Sequence, residues 1–512
     1  MTRHADAPAA HSDHGLAHES MSQVEVLAQS VAGIAPSAVM ATGPALIVLY
    51  AGSGAWLSYL AASIVVLLIG LCVAQFARRF ASSGSLYSYV ARGLGPGGAF
   101  AAGWGLVIGY TCIAMVGIAG TGIYLGNFLE TIGLPGTSTA AVLVIFALAA
   151  TAAGAFAVAG IRLSTRLGLV LEVVSVAAVL LVLVVVLVRH GFAVDTSQFR
   201  LDGVTFDGVT FGIVLAVLGF VGFESAASLG AEARNPHRTI PRAVLGSAVL
   251  VGLLYIFASY SSVLGYNGPE GLSSSAAPIS DLASTNGLSG VTWLIDIGVT
   301  ASFFAVIIAS INAAARVLYT MGEEGVLPAA LGRAHLRHKT PHVAIWLIAP
   351  VVAVVPIVMV IAGTSALNVY AYTGTVGTFG YMLAYLLMAA SLPVFLRRRD
   401  EANPLSVALA VVVVFALLYV FYGNVIPVPP SPYNLLPWIF LAAVVAGLAW
   451  YLVVRLQRPQ VVEGIGTFQE KPVPPHAGGH HAAGRAPVTA AEDVPVRRDR
   501  AADASPTPGG RA

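Results

Sequence analysis

Charged residues are scarce in this 512-residue chain: Asp, Glu, Lys and Arg make up 10% of it, whereas hydrophobic residues make up 57%. A soluble globular domain carries about 25% charged residues, because much of its surface stays in contact with water. The composition therefore excludes a soluble enzyme, a disordered chain and a nucleic-acid-binding protein. It predicts an all-α, polytopic protein of the lipid bilayer.

Cysteine is rare and histidine is absent from the apolar runs, which argues against metal sites and against catalytic groups that use these residues. The two cysteines, Cys72 and Cys112, lie inside apolar runs, so neither a disulfide framework nor a thiolate metal site is indicated. All twelve histidines lie in tails, in loops or at the edge of a run. The sequence thus predicts no catalytic residues, no metal site and no cofactor, and we expect the protein not to be an enzyme.

Twelve apolar runs of the sequence approach or exceed the length of about 20 residues that a bilayer crossing needs. They are Val26–Tyr50, Ala55–Ala77, Ala99–Phe128, Thr139–Gly160, Leu167–Val188, Val209–Gly230, Ala243–Leu264, Gly290–Ala315, Val343–Ala362, Ala366–Leu396, Pro404–Phe421 and Leu435–Val454. We predict a twelve-helix domain at 23–456 between two polar tails, 1–22 and 457–512. Both tails are expected to be disordered, so removal of 457–512 is expected to leave function intact.

The basic residues predict the orientation of the chain. Loops after even-numbered runs hold fifteen Lys and Arg residues, whereas loops after odd-numbered runs hold only Arg189 and Arg200. Lys and Arg concentrate in cytoplasmic loops. Both termini are therefore predicted to be cytoplasmic, in a protein of the plasma membrane.

Two runs carry helix-breaking residues near their centres: the first at Gly33–Ser37 and the sixth at Gly219–Glu224. Proline removes a helical donor, and glycine lowers the cost of unwinding. Interrupted helices at matching places in two halves of a chain point to the binding site of a transporter with inverted repeats. The spacing predicts two five-helix repeats of opposite topology, followed by two further helices.

The ends of interrupted helices suit a zwitterionic ligand. An N-terminal end offers N–H groups and partial positive charge to a carboxylate, while a C-terminal end offers carbonyls to an ammonium group. Two facing interruptions would hold both groups without charged side chains. An amino acid is the simplest ligand of this kind.

Three acidic residues lie well inside the runs: Glu172, Glu224 and Asp296. An ionised carboxyl at the bilayer centre costs about 3 kcal/mol on insertion scales, so each residue is a functional candidate. No Lys, Arg or His lies inside a run to pair with them. We therefore expect these carboxyls to exchange a proton readily, as a proton-coupled carrier requires. Asp296 lies in the outer third of its run and is assigned to a vestibule.

Two loop patterns resemble those of permeases of the amino acid–polyamine–organocation (APC) superfamily. Phe220–Glu224 followed by Glu232–Ala243 resembles the family's sixth span and next loop, which read roughly G-F-E and then E-x-x-N-P-x-R-x-I-P-R-A. The stretch Arg316–Pro328 is similar to the family's loop after span eight. The resemblance covers about residues 24–456.

The resemblance implies a leucine-transporter-like fold that works by alternating access around a central site. The carboxylate cradle then falls on Ala35, Pro36, Ser37 and Ala38. The ammonium-facing segment falls on Leu218, Gly219, Phe220 and Val221. The neighbouring candidate substrate contacts are Gly33, Ile34, Tyr110 and Phe223. The family's first interruption is usually richer in glycine, and the Ala35-Pro36 pair found here is expected to alter the cradle.

The sequence leaves three alternatives for how transport is coupled to an ion. Proton-driven relatives often carry a lysine in span five, but here that position is Ser175, with Glu172 one turn away. Either Glu172 or Glu224 carries a proton, or Ser175 and Ser302 help to hold Na⁺, or the protein is an uncoupled exchanger. We favour H⁺ over Na⁺.

Together these features predict a secondary active transporter of amino acids or related amines. Its partner is predicted to be a small-molecule substrate, and it is predicted to bind no nucleic acid. The alternatives are an amino acid or amine exchanger and a channel or sensor derived from a transporter. The sequence predicts neither the particular substrate nor the oligomeric state.

Overall fold

A computed structural model describes residues 22–79, 85–160, 164–201, 203–229, 233–335, 337–338 and 340–466. The regular elements in these ranges are all helical, which confirms the predicted all-α class. Almost all of the predicted tail 1–22 and most of the tail 457–512 lie outside the described residues.

Seventeen α-helices follow one another along the described chain. Their bounds are α1 Gln23–Ile34, α2 Pro36–Ala51, α3 Ala55–Ala77, α4 Ser85–Thr131, α5 Thr139–Ala159, α6 Ser164–Arg189, α7 Thr196–Arg200, α8 Phe206–Leu218, α9 Pro236–Gly265, α10 Pro269–Ser273, α11 Pro278–Thr285, α12 Thr292–Glu323, α13 His342–Ile361, α14 Ala366–Arg397, α15 Pro404–Tyr422, α16 Leu436–Gln457 and α17 Pro459–Glu463. Short 3₁₀ segments lie at Gly52–Gly54, Phe223–Leu229, Ser289–Val291 and Tyr433–Leu435.

Ten stretches of the described chain are long and apolar enough to cross a membrane. One of them, Pro36–Ala77, joins α2 and α3, and the apolar helix α8 is only 13 residues long. Helices lie in all twelve of the predicted apolar runs. That the chain crosses the membrane twelve times stays a prediction. It also stays a prediction that the first and sixth runs each cross it as one interrupted helix.

Helices α4 and α14 approach each other closely because glycines face one another across the contact. A Cβ added at Gly105 would lie 2.9 Å from the Gly380 carbonyl oxygen, and one at Gly109 would lie 2.8 Å from the Tyr381 ring. Small residues allow such close packing between apolar helices. The contact brings Tyr110 of α4 edge-on to Tyr381 of α14, with ring centroids 5.2 Å apart.

The chain after α16 packs back onto the helices. Val462 and Ile465 are buried in an apolar cluster with Tyr87 of α4. The Glu324 carboxylate accepts hydrogen bonds from the Tyr87 hydroxyl and from the Gly466 amide. The packed chain therefore continues to Gly466, past the predicted domain boundary at 456.

We predict that a chain ending at Arg458 is less stable than a chain ending at Gly466. The shorter chain loses the burial of Val462 and Ile465, and a buried aliphatic side chain contributes about 2 kcal/mol. Thermal unfolding of both purified proteins in detergent should give a lower Tm for the shorter one. Equal Tm values would contradict a stabilising role for this segment.

Candidate functional site

The first interruption separates α1 from α2 at a single residue. Helix α1 ends at Ile34, and Ala35 adopts a left-handed conformation with φ 54° and ψ 60°. Pro36 then opens α2 as its first residue, a position that suits proline because the first helical amide has no intrahelical partner. Helices α1 and α2 thus meet within Gly33–Ser37; that they form one interrupted span stays a prediction.

The first turn of α2 has few amides to offer a ligand. Pro36 has no N–H group, and the Ala38 amide donates to the Ala35 carbonyl at 3.1 Å. The Ser37 amide donates to Oε1 of Glu172, on α6, at 2.8 Å. In the structure, the predicted carboxylate cradle is therefore occupied by the side-chain carboxylate of Glu172.

The second interruption is a series of tight turns. Helix α8 ends at Leu218. The amides of Gly219, Phe220 and Val221 then donate to carbonyls three residues back, at 3.0, 2.9 and 3.3 Å. Gly222 follows with φ 102°, a conformation that glycine adopts at little cost because it has no Cβ.

Side chains from distant helices satisfy the carbonyls of this segment. The Tyr255 hydroxyl of α9 donates to the Gly219 carbonyl at 2.6 Å, and the Ser30 hydroxyl of α1 donates to the Phe223 carbonyl at 3.0 Å. A buried polar group left without a partner costs about 1–3 kcal/mol. The Gly219 carbonyl, in the segment predicted to face an ammonium group, therefore already accepts one hydrogen bond from the protein.

The two interruptions touch each other. A Cβ added at Gly222 would lie 2.6 Å from the Gly33 carbonyl oxygen, and one at Gly33 would lie 3.1 Å from Oγ of Ser225. Because real Cβ atoms do not approach backbone oxygens to 2.6 Å, only glycine fits at position 222. The structure thus joins the two predicted breaks, which lie far apart in sequence, into one site.

Glu172 lies beside buried hydroxyls. It is 6% exposed, and the Ser37 and Ser302 hydroxyls interact with its carboxyl. The buried hydroxyl oxygens of Ser37, Ser175 and Ser302 make no hydrogen bond of standard geometry. Ser175, one turn along α6, packs against Gly298 of α12. The predicted coupling residues Glu172, Ser175 and Ser302 therefore lie at the contact between α6 and α12, with Glu172 reaching α2.

Glu224 lies in a different environment, among tyrosines. It is 1% exposed, and its Oε2 accepts hydrogen bonds from the Tyr385 hydroxyl at 2.8 Å and the Gly222 amide at 3.2 Å. Its second carboxyl oxygen, Oε1, has no partner. Tyr110 lies near enough to interact electrostatically with the carboxyl. Among the described residues, neither Glu224 nor Glu172 forms an ion pair with a basic side chain.

Asp296 is separate from both glutamates. It accepts hydrogen bonds from Nδ2 of Asn127, at 2.8 Å, and from the Ser280 hydroxyl. It thereby links α12 to α4 and to the short helix α11. Its assignment to a vestibule stays a prediction.

Buried aromatic rings pack beside the second interruption and in the neighbouring core. Phe220 meets Tyr255 with ring centroids 5.1 Å apart, and Tyr255 meets Tyr59 at 5.5 Å. Phe303 meets Tyr370 at 5.9 Å. These rings give the region apolar side chains beside the hydrogen-bonding groups of the second interruption.

Sequence reasoning missed three residues of the site: Ser30, Tyr255 and Tyr385. Each donates to a group at the second interruption. A hydroxyl inside an apolar run is a usable signal, because a buried hydroxyl normally finds a partner. Which partner it finds depends on helix packing, which the sequence pattern does not show.

The comparisons with known proteins agree with this architecture. A family model described as "Amino acid permease" matches residues 22–450. The crystal structure of MhsT in complex with L-phenylalanine superimposes with a TM-score of 0.58 at 14% identity, covering 80% of this chain and 100% of that one. At this identity the likeness shows the fold alone, and it confirms the leucine-transporter-like fold.

Several characterised and uncharacterised transporters are similar in sequence. The branched-chain amino acid permease BcaP of Bacillus subtilis is 29% identical over 313 residues, 58% of this chain and 65% of that protein. BcaP of Lactococcus lactis is 27% identical over 372 residues, covering 69% and 77%. The uncharacterized transporter Mb2022c of Mycobacterium bovis is 31% identical over 355 residues, covering 67% and 72%. The chain thus matches slightly less than two thirds of the B. subtilis protein.

The fold and these matches define a multi-pass membrane protein. The chain belongs to the amino acid permease family, within the APC superfamily, and the resemblance seen in its loop patterns is confirmed. Family and relatives are transporters rather than enzymes.

We predict that Gly222→Ala destabilises the protein, because the new Cβ would collide with the Gly33 carbonyl oxygen at 2.6 Å. A left-handed non-glycine residue alone costs about 1–2 kcal/mol. Gly246→Ala on α9 is the matched control, since its Cβ would meet only Leu27 at 3.4 Å. Thermal unfolding should show a lower Tm for Gly222→Ala alone. An unchanged Tm would contradict the close contact between the interruptions.

Proposed function

We propose that this protein is a secondary active transporter that moves amino acids or related amines across the plasma membrane by alternating access, coupled to protons. The observation that carries the proposal is the contact between the two interrupted segments at Gly33 and Gly222, with a buried carboxyl beside each. In this proposal the chain has twelve spans, a five-plus-five inverted repeat and two further helices. Both termini are cytoplasmic.

The substrate class follows from the groups around the interruptions. The Ser37 amide suits a carboxylate, and Glu224 with the nearby carbonyls suits an ammonium group. The buried rings, among them Phe220 and Tyr255, suit an apolar side chain. Two of the relatives are named branched-chain amino acid permeases. We therefore take L-leucine as the first substrate to test, with other neutral amino acids, cationic amino acids and polyamines after it.

Alternating access requires the helix pairs on either side of each break to move relative to each other. Ala35 and Gly222 have the unusual backbone conformations at the two breaks. A hinge absorbs motion at a few such positions. We propose that the segments on either side of these residues tilt around a fixed contact at Gly33 and Gly222, opening the site to one side at a time.

Proton coupling is supported by the two buried glutamates. Neither forms an ion pair within the described residues, so each can gain or lose a proton without breaking one. The alternative ion, Na⁺, would draw on the buried hydroxyls of Ser175 and Ser302. Glu172 and Glu224 are the two candidates for the proton carrier.

Uptake of radiolabelled L-leucine into proteoliposomes tests the proposal. With an inward proton gradient we expect accumulation above the level reached by equilibration. The glutamine variant of the coupling glutamate, Glu172→Gln or Glu224→Gln, should lower that accumulation at least about tenfold, because it can no longer exchange a proton. Glu270→Gln, at an exposed carboxyl on α10, is the matched control and should accumulate L-leucine like the wild type.

Three results would change the proposal. Accumulation driven by a sodium gradient alone would move coupling to Ser175 and Ser302. Proton-driven accumulation that survives both glutamine substitutions would place the proton elsewhere. Failure of the whole panel of amino acids and polyamines to accumulate under either gradient would contradict a coupled transporter and leave exchange or sensing as the function to test.

A further inference from the structure

Glu172 occupies the place that the proposed function gives to the carboxylate of the substrate. Its Oε1 accepts the Ser37 amide at 2.8 Å, in the first turn of the 16-residue helix α2. The partial positive charge at a helix N-terminus favours an anion. Here that anion is a side chain of the protein.

The first turn of α2, residues 36–39, has few backbone amides that could bind a second anion. Pro36 has no amide hydrogen, and the Ala38 amide is bonded to the Ala35 carbonyl at 3.1 Å. The amide of Val39 also points to the Ala35 carbonyl, at 3.4 Å. The Ser37 amide is therefore the donor in this turn for which two carboxylates would compete.

A second observation points to a ligand at this place. The Ser37 side chain is fully buried, and its hydroxyl makes no hydrogen bond of standard geometry. The same holds for the Ser302 hydroxyl of α12, which is 4% exposed, and both hydroxyls lie beside the Glu172 carboxyl. Buried polar groups are normally satisfied. The two hydroxyls are therefore poorly placed on Glu172 and available as donors to a carboxylate that replaces it.

Among the described residues, Glu172 has no ion-pair partner that would offset a second carboxylate. The titratable group of α9 that faces it is the Tyr255 hydroxyl, and the ionisable side chain of α2 is Tyr50, at the far end of that helix from Ser37. On α12 and α11, Asp296 and Asp281 are hydrogen-bonded to other groups, and Arg316 and Glu323 lie fourteen or more residues along α12 from Ser302. In α1 the acidic residue is Glu25, in the first turn. Two carboxylates sharing one buried site are stable only when one of them holds a proton.

We propose that Glu172 is an internal competitor of the substrate carboxylate, and that an amino acid takes over the Ser37 amide and the hydroxyls of Ser37 and Ser302 only when Glu172 is protonated. Protonation makes Glu172 a poor acceptor and frees the amide. The proton bound by Glu172 is thereby linked to the carboxylate of the substrate. The inference rests on the proposed function and adds to it the residue that links substrate and proton.

Equilibrium binding of tritiated L-leucine to the protein in lipid nanodiscs, measured across a pH series, tests this linkage. Because one proton is taken up with each leucine, Kd should rise by about tenfold per pH unit once Glu172 is ionised. Glu172→Gln should bind leucine with a Kd that does not change with pH. Glu270→Gln is the matched control and should keep the wild-type slope.

A second ligand makes the test independent of how well the variant folds. L-leucinol has a hydroxymethyl group where leucine has its carboxylate, so it brings no second negative charge to the site. Its affinity for the unmodified protein should not fall as the pH rises. A purely structural role of Glu172 as a cap of α2 predicts a lower Tm for Glu172→Gln with the pH slope for leucine unchanged.

The outcomes separate this inference from the function on which it rests. The inference would be overturned if the Kd for leucine still rose with pH in Glu172→Gln, or if this pH dependence were lost in Glu224→Gln instead. Either result would leave the transporter proposal standing. The same pH slope for leucinol as for leucine would also overturn it. Absence of binding by leucine and by every other amino acid to the unmodified protein, at any pH, would contradict the proposed function and the inference together.

Discussion

The close contact of Gly33 with Gly222 is the constraint on which the rest of the site depends. It holds two interrupted segments that lie 189 residues apart in the sequence against each other at van der Waals distance between backbone atoms. An interruption in an apolar environment frees peptide groups that water cannot satisfy. The surrounding helices must therefore supply partners for these groups, and the site is largely the set of side chains that do so.

The structure meets this demand in three ways. Turns with bonds three residues back satisfy the amides of Gly219–Val221. Hydroxyls of Ser30 and Tyr255 satisfy carbonyls from neighbouring helices. Carboxylates satisfy two further amides, that of Ser37 through Glu172 and that of Gly222 through Glu224. The last arrangement places an ionisable group on each interruption, so a change of charge there acts directly on the broken backbone.

The sequence predicts the positions of the breaks well because they have local causes. Pro36 cannot extend a helix, and Gly222 permits a positive φ, so both can be read from residue type alone. The same holds for the apolar runs, which follow from composition over about 20 residues. Non-local partners are harder to predict: Tyr255 and Ser30 meet the second interruption only through helix packing. The bond between Glu172 and Ser37 is likewise invisible without the structure, although Glu172 itself stands out as an acid in an apolar run.

A cryo-EM structure of the protein with L-leucine bound would show directly whether the joined interruptions form the substrate site. We expect density for leucine between the segments 33–38 and 218–223, with its carboxylate at the Ser37 amide and the Glu172 side chain withdrawn from that amide. Density for leucine at another place, with the bond between Glu172 and Ser37 intact, would contradict the claim that the joined interruptions form the substrate site.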